Sequence, residues 1–453
     1  RSSVRTFKAK SLSAKESPLP LLHPFFLLLS SFCRPSPAPS SLSSPRSLVS
    51  AYSARGMSAD RSKIEAPNER KVRTRRKAST SPGTKGTPRG SPSAATDGTQ
   101  NTVTKGTSDQ KALKSAEIAN KAAWSKKVLT LSCKTLSEEF NRQIKKYADP
   151  KSTTICSAKN EEKNRYADVL CLDGTRVKLT GRKADEDYIH ANWVTNPDGS
   201  RLICTQGPLA ETIEDFWRMV IQNKVVIILM LCQFFEGEDN EKCAQYFPAV
   251  VEESKTFGPF KITNLASLAE PKIEGCACSN LEILFEKKKY RVRHVLMSSW
   301  PDQCAPVTSD KVLDLWRWLK SNTKKEDENV IVHCSAGVGR TATFAAIDIA
   351  AHKIGQKSST SMMEVVKEMR SMRYQAVQSY VQYLFMHLIM LDLFISEKII
   401  EKYDPECKFI KEYKRFANRK ITKMAKKEAA MGKTGGGGKE GGKKISMQED
   451  DAP

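Results

Sequence analysis

Between Arg1 and Pro453 there is no apolar run long enough to cross a bilayer. The nearest candidate, the stretch from Pro18 to Cys33, is too short and is broken by prolines and by His23. It follows several basic residues, and the first methionine is Met57, so residues 1–56 are expected to be a translated leader or disordered rather than a secretory signal. Paired metal-ligand spacing is also missing. Twelve cysteines are scattered along the chain, and Cys276 and Cys278 form one C-x-C with no matching Cys or His pair, which argues against a structural zinc site. The cysteines read as reduced thiols, and the expected location is cytoplasmic with access to the nucleus. No GKS or GKT follows a glycine-rich turn, so a nucleotide P-loop is excluded, and no internal repeat points to a solenoid. Large apolar side chains are scarce. At 39% hydrophobic residues the chain is lean for a fully folded one, and part of its length is expected to be tail.

What the sequence has in excess is positive charge, a formal +23, which draws the protein towards anions and says little about its fold. Residues 57–128 are rich in Ser, Thr, Gly, Pro and Lys and read as a disordered basic tail. This tail includes the basic cluster from Lys71 to Lys77 and the nearby Ser81-Pro82, Thr87-Pro88 and Ser91-Pro92. Helical spacing begins with Leu131, Leu136, Phe140 and Ile144. Strand-like runs follow at 202–204, 225–232, 281–285, 291–297 and 330–332, with helical patterns at 211–223, 309–320, 341–354, 363–371 and 380–394. The pattern predicts one α/β (α+β) domain over residues 129–398, with a central twisted mixed sheet flanked by helices. Residues 399–453 read as a basic, Gly/Lys-rich tail. The tails lack interleaved aromatics and a continuous amphipathic face. They are expected to give weak tethering to anionic surfaces and no specific nucleic-acid binding.

The chemistry is concentrated in the segment from Val330 to Phe344, VIVHCSAGVGRTATF. It reads as strand, loop, helix. A buried strand delivers Cys334 to a turn of small residues, where the amides of Ser335, Ala336, Gly337, Val338 and Gly339 turn inward around an oxyanion. The next helix aims its positive end at the same point. Arg340, with five residues between it and Cys334, reaches back as a planar fork for two phosphoryl oxygens. Such donors favour a thiolate at Cys334. A lone cysteine is more often a buried structural thiol, but the complete pattern outweighs that reading.

This segment resembles the signature loop of the tyrosine-specific protein phosphatases, and the resemblance extends over residues 131–394. Lys163-Asn164-Arg165-Tyr166 is similar to the phosphotyrosine loop, which implies that Tyr166 stacks on the substrate ring and makes the pocket deep. The resemblance gives Asp168 the substrate backbone to hold. Asp187 to Asn192, Thr205 to Pro208, Asp215 to Arg218 and Lys242 to Tyr246 resemble the family's core and loop-support motifs. Trp300-Pro301-Asp302 resembles the mobile acid loop, and Gln378 and Gln382 the glutamines of the hydrolysis step.

The family mechanism would make Cys334 the nucleophile, Asp302 the general acid and Gln378 the water-orienting group, with the Thr341 hydroxyl easing thiolate release. No metal or other cofactor is expected. His333 would support the loop, Glu236 would pair with Arg340, Lys242 would steady the acid loop, and the partners would be phosphotyrosine proteins. Taken singly, Tyr166, Trp300 and the glutamines read as packing or surface residues. Their order around one loop is what argues for function.

The chain departs from the family pattern in several places. Gln303 and Cys304 stand where a glycine usually comes two places after the aspartate, and a side chain there is expected to slow loop closure. Ala342 replaces a helix glycine, Gln375 a gateway glycine, and Ala167 an arginine that favours acidic flanks. His190 and the basic tails resemble the soluble phosphatases expanded in nematodes. The competing reading is a catalytically impaired phosphotyrosine-binding scaffold of the same fold, which usually lacks the nucleophile, the arginine or the acid.

Overall fold

A computed structural model describes residues 102–431, leaving out 184, 237–239 and 324–326, with side chains described from 110 to 426. The leader 1–56, most of the N-terminal tail and the last 22 residues lie outside the described residues.

Runs rich in Val, Ile and Leu are suited to strands buried on both faces. Three such strands lie side by side at the centre, β3 (Arg201–Thr205), β9 (Asn329–His333) and β4 (Val225–Met230), and β8 (Lys288–Met297), exposed over its first half, lies beside β4. They are mutually parallel, with β9 between β3 and β4. Antiparallel strands extend the sheet on either side, giving the order β1-β2-β3-β9-β4-β8-β7-β6-β5. These are β1 (Arg176–Lys178), β2 (Tyr188–Thr195), β5 (Ser254–Phe257), β6 (Phe260–Leu268) and β7 (Cys276–Phe285). The flanking helices are α1 (Thr102–Thr130), α2 (Cys133–Glu139), α3 (Ile155–Lys159), α4 (Ile213–Gln222), α5 (Asp310–Asn322), α6 (Arg340–Gln356), α7 (Met362–Met372), α8 (Tyr380–Ser396) and α9 (Lys408–Met431).

The register sets the site. Thr205 of β3 and Met230 of β4 both pair with His333 of β9, so three parallel strands end level, one residue before Cys334. The carboxyl ends of parallel strands are where ligands bind in α/β sheets. Beneath them α6 packs on β3 and β9, and α8, buried along almost its whole length, packs on α6.

The packed region is longer at both ends than the 129–398 read from the sequence. Trp124 and Val128 of α1 are buried, and the Trp124 indole donates to Thr360 O at 3.1 Å. Residues 120–128 therefore pack on the domain and leave the tail to which the sequence reading assigned them. Phe409, Ile410, Tyr413 and Ala417 of α9 are buried as well. The Tyr413 ring lies 6.2 Å from that of Phe385, and its hydroxyl donates to Pro306 O. A basic composition hid an apolar stripe at helical spacing.

Candidate active site

Residues 334–339 join β9 to α6, and their conformation follows from where their carbonyls go. His333 Nδ1 bonds Cys334 O at 3.1 Å, Gly207 N bonds Ser335 O at 2.8 Å, and Arg373 Nη2 bonds Ala336 O at 3.1 Å. Arg373 Nε takes Gly337 O at 3.1 Å, and Val377 N takes Val338 O at 2.8 Å. Five successive carbonyls are thus held from outside the loop, which leaves the amides to face its centre. Gly337 N donates to Cys334 Sγ at 3.2 Å. Gly337 sits at φ +70°, and a Cβ there would lie 2.1 Å from Thr205 O, so no other residue fits. A Cβ on Gly339 would lie 2.8 Å from Gln382 Nε2 and 3.2 Å from Gln378 Oε1, so both glutamines close against the loop at that point.

Arg340 opens α6, is 1% exposed, and has carboxylates on two sides. Its Nη1 and Nη2 bond Glu236 at 2.6 and 3.2 Å, Nη2 bonds Asp302 Oδ1 at 2.9 Å, and Nη1 bonds Trp300 O at 3.0 Å. Lys242 Nζ lies 2.6 Å from the other oxygen of Asp302. The segment carrying Trp300-Pro301-Asp302 is therefore folded over the loop. Burial pushes the Asp302 carboxyl up, but Arg340, Lys242 and the Gln303 amide outweigh it and hold the group below its ordinary value. Three buried side-chain atoms here have no hydrogen-bond partner: Arg340 Nε, Thr341 Oγ1 and Gln382 Nε2. Unpartnered buried polar atoms are costly and invite a polar ligand.

The wall is Tyr166. Its ring clusters with Val169, Ala336 and Val338, and its hydroxyl is 2.7 Å from Ser335 Oγ, which in turn donates to Lys242 O at 2.9 Å. Asp168 is half-buried two residues on, and its carbonyl accepts the Gln375 amide at 3.0 Å. Gln375, at φ +54°, thereby ties the Tyr166 segment to the one that bears Gln378. In the segment that carries Asp302, Cys304 is fully buried and its carbonyl accepts the Trp300 indole N–H at 3.1 Å. The left-handed residue is Gln303, at φ +53°.

Beneath the loop lie two histidines that the geometry keeps neutral. Burial lowers His333 to about 4. With its Nδ1–H given to Cys334 O, its Nε2 is left to accept from the Tyr246 hydroxyl at 2.8 Å. Tyr246 in turn accepts from His294 Nε2 at 2.6 Å, and burial, with His333 nearby, lowers His294 to about 3. His190 is similar. Burial and then Arg373 take it to about 3, and it gives Nε2–H to Val169 O at 2.9 Å while receiving Arg373 Nη2 on Nδ1 at 3.1 Å. Arg373 also donates to Asn192 Oδ1 at 2.7 Å, so each of its nitrogens has a partner. The sequence reading missed Arg373 and His294. Neither carries a local signal, because each acts through partners distant in the chain.

Lys242 gives a direct check on the electrostatics. Its ammonium favours the charged carboxylate, so Lys242→Met removes part of what holds Asp302 down and raises the Asp302 pKa. If Asp302 acts as an acid, the alkaline limb of kcat/KM should move to higher pH in the variant. An unmoved limb, or one moved lower, would separate Asp302 from that titration.

Among the described residues no group of His, Cys, Asp and Glu is placed to hold a metal, and no helix is long and apolar enough to cross a membrane. The family model for protein-tyrosine phosphatase matches residues 160–392, just over half of the chain. Human tyrosine-protein phosphatase non-receptor type 12 is 36% identical over 276 residues, which cover 58% of this chain and 34% of that protein. Human non-receptor type 7 is 33% identical over 264 residues, 56% of this chain and 70% of that protein. This chain spans only about a third to under half of the first curated relatives it matches. A solved structure of PTPN18, from work on its fingerprint on distinct HER2 tyrosine phosphorylation sites, superposes with a TM-score of 0.50 at 32% identity. That match covers 58% of this chain and 92% of the other.

Proposed function

The chain belongs to the protein-tyrosine phosphatase family, and from that premise we propose that it hydrolyses phosphotyrosine in proteins through a phosphocysteine intermediate, in signalling. The observation that carries this reading is the placing of Cys334 Sγ inside a loop whose carbonyls are all held outward, beside a buried Arg340 with an unpartnered Nε. Phosphoryl transfer asks little of a protein beyond positioning and charge stabilisation, which amides and a guanidinium supply. The Cys334 thiolate attacks phosphorus, the P–S bond forms, and the bond to the tyrosine oxygen breaks in line. Asp302 gives its proton to that oxygen. In the second step Gln378 orients a water and Asp302 takes its proton. The water oxygen forms a bond to phosphorus as the P–S bond breaks, inorganic phosphate leaves, and Thr341 Oγ1 stabilises the returning thiolate. Asp302 is charged while it bridges Arg340 and Lys242. A phosphoryl dianion competes for Arg340 and raises the carboxyl pKa towards the protonated form that the acid role needs.

Selectivity for tyrosine rests on Tyr166, whose ring makes the pocket too deep for the short phosphoserine side chain. The eleven cysteines among the described residues are all unpaired, which supports action in a reducing compartment such as the cytoplasm. The purified chain, in the presence of chelator, should hydrolyse phosphotyrosine peptides and act far more slowly on the matching phosphoserine peptides. Comparable rates on both would end the tyrosine-specific reading.

A further inference from the structure

The inner face of α9 is buried through Phe409, Ile410, Tyr413 and Ala417, and its outer face is a line of cations. Lys408, Lys411, Arg415, Arg419, Lys423 and Lys426 are all exposed and recur at intervals of three or four, so they share one side of the helix. At 1.5 Å per residue the line is about 27 Å long. Glu412, the one acidic residue between 408 and 426, shares this side of the helix by its spacing from Lys408 and Arg415. Its carboxylate is turned to the domain, accepting from Ser132 Oγ at 3.1 Å and Cys133 N at 2.7 Å. Among the described residues the line has one carboxylate partner, Glu406 on Lys411. A solvated helix face usually mixes both signs, which lowers self-repulsion. Here the charges repel one another along a helix whose position is fixed by its buried side.

We propose that this face of α9 docks the domain on an anionic phospholipid surface. A straight line of cations on a packed helix meets a plane along its whole length, whereas an inserted reading helix would have to project from the domain. The exposed residues between the cations, Asn418, Thr422 and Ala425, include no aromatic on which a base could stack.

The test uses the full chain and its variant Lys411→Gln/Arg415→Gln/Arg419→Gln/Lys423→Gln, with vesicles of phosphatidylserine and phosphatidylcholine in equal parts. A control variant neutralises the same number of cations in the N-terminal segment, at Arg73, Arg75, Arg76 and Lys77. Each cation near such a surface is worth about fivefold in binding, so the α9 variant should lose several-hundredfold, on the order of the four factors multiplied. The control should lose much less, and both should keep wild-type turnover on a small aryl phosphate. Binding should vanish on phosphatidylcholine alone and weaken steeply with salt. Equal losses in the two variants would replace the helix face with diffuse charge. A larger loss on duplex DNA than on vesicles would make nucleic acid the occupant. Either result, or unchanged vesicle binding by the α9 variant, overturns the proposal.

Discussion

Cys334→Ser should lose about 10⁶-fold in turnover, the order found when a hydrolase is stripped of its covalent nucleophile. The reason is ionisation, because a serine hydroxyl is not charged at neutral pH and no base stands beside it. His333, the nearest imidazole, is buried, neutral and committed at both nitrogens to Cys334 O and Tyr246. Phosphate binding should survive, since the outward-held carbonyls and Arg340 do not depend on the sulfur. The check is acid quenching of the enzyme with a labelled phosphotyrosine peptide. Wild type should trap label on Cys334 and the variant none. Label on another of the buried cysteines, or turnover that survives the change, would remove Cys334 from the mechanism.

How much of this was legible in the sequence depended on whether a residue's partners lie near it in the chain. β9, the loop and α6 are consecutive, so the segment from Val330 to Phe344 carried its own geometry. The central strands β3, β4 and β8 announce themselves by apolar runs. β2 does not, although Tyr188, His190 and Asn192 are all buried. Each has a distant polar partner, Asn164, Arg373 and Leu172 O respectively, so a buried strand looks polar in sequence. β5 and β6 lie at the end of the sheet, where mixed exposure blurs the alternation.

Arg373 was invisible for the same reason as β2. It acts only through contacts 36 or more residues away in the chain, and nothing next to it tells a loop-holding arginine from a surface one. The expectation for position 304 also changes in physical content. The residue in the unusual conformation is Gln303, and the side chain of Cys304 fits within the core.

Asp302→Ala should separate an enzyme from a phosphotyrosine-binding scaffold most sharply. A tyrosine oxygen that leaves without a proton is a poor leaving group, and a positioned acid typically contributes about 10²–10⁴-fold. Turnover on a phosphotyrosine peptide should fall by about that factor. An aryl phosphate whose leaving group is stable as an anion needs no acid, so its deficit should be much smaller. Affinity should hold or rise. Removing the carboxylate takes away the anion that competes for Lys242 Nζ and for one N–H of Arg340 Nη2, which keeps Glu236 on the other, so both can meet a phosphoryl oxygen. The variant should therefore retain phosphotyrosine proteins long enough to capture them, which would identify the physiological substrates. The comparison is turnover of wild type and variant on both substrates, with peptide affinity measured alongside. Equal deficits on the two substrates would mean that Asp302 positions the loop and does not donate the proton. A wild type inactive on both, yet binding phosphotyrosine peptides, would assign the chain to the scaffolds despite its intact Cys334, Arg340 and Asp302.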